Sequence, residues 1–171
     1  MFSGKIRQAT AGDIHFLRAM LYEAAYWRPG IERPAVEIGL ARPELAKLLK
    51  DWDRRPGDRG VIAIFEESAP VGAAWYRFWS EEEPSYGFVN ENIPEIAIGV
   101  AKESRGRGIG RALLEALKKQ ARQEKISSLS LSVEQDNSAR YFYEKLGFEH
   151  PVGTATALTM VLDLCGEEVG G

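Results

Sequence analysis

The chain contains one cysteine, Cys165, so neither an intrachain disulfide nor a metal site built from several thiolates can form. Histidine is almost as scarce: His15 and His150 have no ligand spacing, and no metal is expected. Long hydrophobic runs are missing too. Nowhere do the roughly 18 consecutive apolar residues that cross a bilayer occur, and Met1 to Ala11 has no signal-peptide core, so the expectation is a cytoplasmic protein without a membrane partner. The formal charge of -3 comes from 22 basic and 25 acidic residues with no basic run, which excludes the electrostatic footprint of a nucleic-acid partner. What is present is a chain of 171 residues, 44% hydrophobic and 27% charged, sufficient for one continuous core. One domain over residues 1–171 is expected, with a frayed Gly- and Glu-rich tail from 166 to 171.

Hydrophobic periodicity gives the order of elements. Lys5 to Ala9 reads as a first strand, and Thr10-Ala11-Gly12-Asp13 offers a cap for a helix with the stripe Ile14, Leu17, Leu21 and Ala25, ending before Pro29-Gly30. After an irregular stretch, Pro43 opens a helix whose apolar face is Leu45, Leu48, Leu49 and Trp52. Val61 to Phe65 and Val71 to Phe78 form a hairpin around residues 66–70; Trp79 to Asn92 is a polar loop with aromatics. Glu95 to Val100 is a strand, followed by a glycine-rich run and a helix with Ile109, Leu113, Leu114, Leu117 and Ala121 on one face. A strand over 128–133, a helix over 138–145, a turn at Gly147 and a strand over 158–164 complete the chain.

The glycine-rich run is Arg105-Gly106-Arg107-Gly108-Ile109-Gly110. A strand that runs through such a loop into a helix exposes several backbone N–H groups at the positive end of a helix dipole, where an anion is favoured. Glycines let the backbone approach phosphate oxygens, and Arg105, Arg107 and Arg111 add charge. Composition alone leaves two readings, an anion cradle and a plain connecting turn. A Walker loop is excluded because Gly110 is followed by Arg111-Ala112 instead of Lys-Ser/Thr, and the dinucleotide fingerprint is excluded by the spacing of Gly106, Gly108 and Gly110.

Arg105, Gly108 and Gly110 resemble the Arg/Gln-x-x-Gly-x-Gly/Ala loop of the GNAT superfamily of N-acetyltransferases, five residues after Val100 as in that family. A second motif, Asn137 followed by a helix ending in Tyr143-Glu144-Lys145-Leu146-Gly147-Phe148, resembles the family in the same order along the chain, and the opening Ile6-Arg7-x-Ala9-Thr10-x-x-Asp13 is also similar. The resemblance is weakest between Tyr26 and Gly60. It implies an α/β (α+β) fold: a mixed, strongly twisted, centrally splayed sheet flanked by helices, with acetyl-CoA wedged between strands 95–100 and 128–133. It further implies that the amides from Gly106 to Arg111 hold the pyrophosphate. Ile98, Gly99 and Val100 would pair with pantetheine as an added strand, and Asn137 would touch the pantetheine arm.

Acetyl transfer to an amine requires removal of a proton from an alkylammonium whose pKa is near 10.4, and accommodation of the departing thiolate. The resemblance places Tyr143 as the thiolate's partner. Glu95 is the candidate base, the one carboxylate within the strand that enters the loop; relatives that carry the base elsewhere have counterparts here in Pro94 and Ser132. A bulge that turns Glu95 toward the acceptor would favour this role. The expected partners are acetyl-CoA and an amine, small or on a protein, met by the N-terminal third and the loop 79–92. Either a monomer or a homodimer fits. The competing reading is an acyl-CoA-binding domain without turnover, or a transferase using another acyl-CoA. A cysteine acyl-enzyme has no support from Cys165, which lies outside both motifs.

Overall fold

The computed structural model describes residues 1–65, 69–153 and 156–166. Seven strands form one mixed sheet in the order β1-β2-β3-β4-β5-β7-β6. They are β1 Lys5–Gln8, β2 Arg59–Phe65, β3 Ala69–Arg77, β4 Glu95–Val100, β5 Ser128–Glu134, β6 Glu149–Gly153 and β7 Ala157–Asp163. The helices are α1 Ile14–Ala25, α2 Val36–Leu40, α3 Pro43–Ala46, α4 Ile109–Gln123 and α5 Ala139–Lys145. The expected α/β class with helices flanking a mixed sheet is therefore present. The chain divides into two compact units, Met1–Arg77 with Ala97–Gln120, and Phe78–Ile96 with Ala121–Gly171.

In the first unit, β1, β2 and β3 are antiparallel, with Ile6 opposite Ala63 and Ile62 opposite Ala73. Leu17, Met20 and Leu21 of α1 join Leu40, Leu49, Trp52, Ile62, Ala73 and Trp75 in a core cluster. The stripe read for the glycine-loop helix is buried as expected, Ile109, Leu113, Leu114 and Leu117 being at most 2% exposed. α1 lies so close to β4 that a Cβ at Gly99 would collide with the backbone oxygen of Met20. Gly99 is thus required by helix–strand packing, independently of any ligand.

The start of α1 is fixed by Asp13. Its carboxylate accepts a bidentate pair from Arg7 (2.9 and 2.8 Å) and the Thr10 backbone N–H (2.8 Å). Foremost the Arg7 hydrogen bond, against a smaller desolvation effect, lowers the Asp13 carboxyl to about 2. A depressed carboxyl stabilises the fold above its unfolded value of about 3.9, and that contribution disappears as pH falls from there toward 2. Thermal melts of wild type and Asp13→Asn should therefore differ at neutral pH, draw together as pH falls below about 4 and converge at about pH 2. A gap that stays constant over that range would contradict this role.

Two expectations in the N-terminal half need correction. The helix expected from Pro43 to Trp52 ends as α3 at Ala46, and turns follow, with Asp51 and Asp53 at positive φ (54° and 66°). Aspartate tolerates the left-handed region better than most residues. The carbonyls released there find a donor in a distant side chain: Arg77 Nη1 bonds the Lys47 and Lys50 oxygens (3.0 and 2.7 Å). The Arg77 Nε and Nη2 atoms meet both Asp58 oxygens (2.9 and 2.7 Å), making an ion pair whose side chains are 2% and 1% exposed. The stretch read as irregular before Pro43 holds α2, a five-residue helix too short to show a period.

In the second unit, β5 pairs antiparallel with β7 from Ser128↔Asp163 to Glu134↔Ala157, and β6 adds to the other side of β7. Leu129, Leu131, Val133, Leu158, Met160 and Leu162 are all buried. β4 enters parallel to β5 with Glu95 opposite Ser130, and the Ser130 N–H bonds the Pro94 oxygen at 3.0 Å. Most of the hairpin connection 66–70 and of the tail 166–171 lies outside the described residues.

Candidate active site

The glycine-rich loop leaves β4 through a single 3-10 turn, Lys102–Ser104, and opens α4. Gly106 and Gly108 both sit at φ +77°, a conformation that costs an L side chain about 1–2 kcal/mol. Nothing lies within 4 Å of a Cβ built on Gly106, so the requirement there is conformational and not spatial. The first α-helical bond is donated by Ala112 N to Gly108 O (3.1 Å). Among the described residues, the backbone N–H groups from Gly106 to Arg111 have no acceptor. Alternating left-handed glycines turn such amides toward one point, and a 15-residue helix adds its dipole. The cluster is open to solvent: Gly106, Arg107, Gly108 and Arg111 are exposed, while Ile109 is buried and anchors the helix start.

The arginines of the loop are already engaged. Arg105 Nε donates to Val100 O (3.1 Å), and Arg105 Nη2 donates to Glu23 Oε2 (3.0 Å). The Val100 carbonyl, expected to face pantetheine, accordingly serves the first residue of the loop. The Arg107 guanidinium lies 5.3 Å above the Phe65 ring. Ile98 and Val100 are half-buried on β4 and Gly99 is buried.

The other candidates lie in the second unit. Asn137 Oδ1 accepts from the N–H of Ala139 (2.9 Å), the first residue of α5, which leaves its amide N–H groups available to a ligand. Tyr143 is 9% exposed and packs edge-on against Phe142 (5.3 Å) and Phe148 (5.7 Å). Its neighbour Tyr141 is different in kind, 51% exposed and hydrogen-bonded by Arg140. Burial pushes the Tyr143 phenol well above its ordinary pKa, so it is a proton-bearing donor throughout the physiological range. Glu95 Oε2 accepts the Gly87 N–H (3.1 Å). A Cβ on Gly87 would stand 2.7 Å from the Leu131 carbonyl carbon and 2.9 Å from Glu95 Cδ, so only glycine brings the loop 78–94 to this carboxylate.

The structure thus gathers Ile98 through Arg111 in the first unit, and Glu95, Asn137 and Tyr143 in the second. Four residues that fix the site or the fold around it escaped the sequence reading: Glu23, Gly87 and the Asp58–Arg77 pair. Only the last had a visible signal, a cation at the end of an otherwise apolar strand.

Comparison with known proteins bears on the family and the fold. A mycothiol acetyltransferase from Kocuria rhizophila is 33% identical over 114 residues, 63% of this chain and 37% of that enzyme. The match thus spans little more than a third of the relative's length. The crystal structure of the ribosomal-protein-alanine N-acetyltransferase from Brucella melitensis superposes with a TM-score of 0.64 at 28% identity, covering 93% of this chain and 99% of that one. An acetyltransferase from Salmonella typhimurium, solved with its cofactor acetyl-CoA, shares the fold at a TM-score of 0.65 and 22% identity, with 98% of each chain covered. The acetyltransferase (GNAT) family model matches residues 20–148, a span that holds both the glycine loop and the Asn137–Phe148 motif, and the chain belongs to that family.

Proposed function

We propose that this protein is an acetyl-CoA-dependent N-acetyltransferase that passes the acetyl group directly to a primary amine in a ternary complex. The observation that carries the reading is the row of unbonded amides from Gly106 to Arg111 at the head of α4. They would hold the diphosphate of coenzyme A, Ile98 to Val100 would align pantetheine, and the Asn137 amide would bond the pantetheine arm.

In the reaction, the amine nitrogen attacks the thioester carbon and the carbon–sulfur bond breaks. Glu95 takes the amine proton, directly or through water, and the electron pair of the broken bond remains on sulfur. An ordinary thiol has a pKa of about 8.5, whereas the buried Tyr143 phenol lies above 10, so complete proton transfer from tyrosine to sulfur runs uphill. Tyr143 therefore acts by donating a hydrogen bond to the developing thiolate.

The hydrogen bond from Gly87 occupies one oxygen of the Glu95 carboxylate, which favours the second reading of an acyl-CoA-binding domain without turnover. Free-thiol release across a panel of small amines and a peptide with an N-terminal alanine, the group in the Brucella relative's name, separates the two. Thiol release with acetyl-CoA supports the transferase; binding without release from any acceptor supports the other. Calorimetry of Gly106→Val and Gly108→Val should show acetyl-CoA affinity reduced by roughly tenfold each, since a β-branched residue at this φ costs about 1–2 kcal/mol. Unchanged affinity in both would remove the basis of the assignment.

A further inference from the structure

Glu23, in the last turn of α1, belongs to neither motif, yet its carboxylate is shared by two guanidiniums. Oε1 accepts from Arg33 Nη1 (3.1 Å); Oε2 accepts from Arg33 Nη2 (3.2 Å) and from Arg105 Nη2 (3.0 Å). Arg105 opens the glycine loop. Arg33 is on the segment beyond α1, where its Nε bonds the Tyr26 carbonyl (2.8 Å) and its guanidinium stacks 5.0 Å from the Tyr22 ring. Tyr26 and Arg33, with Ala25, Arg28, Ile31 and Glu32, line an open surface depression. This depression lies in the N-terminal third, where acceptor recognition is expected.

A carboxylate beside an anion cradle is unfavourable unless its charge is neutralised. The Glu23 side chain is only 18% exposed and carries both cations at hydrogen-bond distance, Arg33 foremost in holding its carboxyl below the usual range. A diphosphate arriving at the loop competes with Glu23 for Arg105. As Arg105 turns to the phosphates, the whole carboxylate is left to Arg33, whose fork already spans both oxygens. Arg33 then holds the Tyr26 carbonyl, and the backbone that lines the depression, more firmly.

We infer that Glu23 is a positioning residue that couples occupancy of the diphosphate cradle to the order of the Tyr26–Arg33 segment, so that coenzyme A readies the surface the second substrate meets. The inference rests on the coenzyme A reading of the loop. By linkage, a ligand in the depression would tighten coenzyme A binding by the same factor.

Hydrogen exchange with and without coenzyme A tests it on the full chain. In the wild type, coenzyme A should slow exchange at residues 106–111 and also at residues 26–33, the latter by about fivefold, the lower end of usual coupling. In Glu23→Gln the protection at 106–111 should persist while that at 26–33 is lost. Arg33→Lys, which keeps the charge but cannot span both oxygens and the Tyr26 carbonyl, should behave the same way and guards against a folding artefact in the first variant. Equal protection of 26–33 in wild type and both variants overturns the coupling, as does a wild type protected only at 106–111. A wild type unprotected at 106–111 overturns the cradle itself, and the coupling with it.

Discussion

Phenylalanine in place of Tyr143 should lower kcat about a hundredfold while leaving the affinity for acetyl-CoA almost unchanged, because the hydroxyl acts only as charge develops on sulfur. The ring is held by Phe142 and Phe148 through its edges and faces, so phenylalanine preserves the packing of α5. The effect is accordingly chemical and should not appear in thermal stability. Because burial raises the phenol's pKa, the wild-type rate should show no alkaline decline attributable to Tyr143 below about pH 10. Stopped-flow measurement of thiol release over pH 6 to 10 would check both statements. A Tyr143→Phe enzyme with at least half the wild-type kcat would make Tyr143 a packing residue.

Asparagine at position 58, or methionine at position 77, should reduce the unfolding free energy by about 3–5 kcal/mol, the usual result of leaving one member of a buried ion pair alone. The loss is large against a typical total of about 5–15 kcal/mol. Arg77 does more than neutralise Asp58: it also caps the Lys47 and Lys50 carbonyls and lies 5.9 Å from the Trp52 ring. The turns from 47 to 53 are otherwise held by Leu49 and Trp52 in the core cluster and by the Trp52 Nε1 bond to the Thr10 oxygen (3.1 Å). Exchanging Asp58→Leu together with Arg77→Met removes both charges and should destabilise less than the sum of the single changes, although the two carbonyls stay uncapped. Urea denaturation of the three variants gives the comparison, and a single-variant loss below about 1 kcal/mol would mean the pair is not the support described.

Local pattern carried the elements whose burial is periodic. The face Ile109, Leu113, Leu114, Leu117 and Ala121 repeats through the length of α4, and Leu129, Leu131 and Val133 alternate along β5; in both cases every member is buried. β6 had no such pattern. It is the last strand in the sheet order and contains Pro151, which an edge strand tolerates and a central strand does not. The end of α3 was invisible for another reason, since the group that satisfies its carbonyls lies about 30 residues away on β3. The expected capping arrangement of Thr10 and Asp13 is present because both partners are local, and it closes the single 3-10 turn, Ala11–Asp13, that leads into α1.

The candidate site divides along the same line. Gly106 and Gly108 were legible because their spacing reflects backbone conformation, and Asn137 and Tyr143 because their motif resembles that of the family. What fixes the functional side chains is long-range and was not legible: Glu23 is one of many carboxylates on helix surfaces, and Gly87 lies in a loop without a period. The Glu95 side chain is oriented by the Gly87 amide. The loop was thus readable from its spacing and the tyrosine from the family resemblance, whereas the orientation of Arg105 and Glu95 depends on partners brought in by folding.

The most direct test of the central claim is a coenzyme A titration followed by the backbone amide resonances of residues 106–111. Diphosphate oxygens accepting these hydrogen bonds would move the amide protons of Gly106 to Arg111 downfield together, saturating with one affinity, and dephosphorylated pantetheine would not reproduce the shift. If coenzyme A bound while these resonances stayed in place and amides elsewhere moved, the loop would be a structural turn and the proposed transferase site would be contradicted.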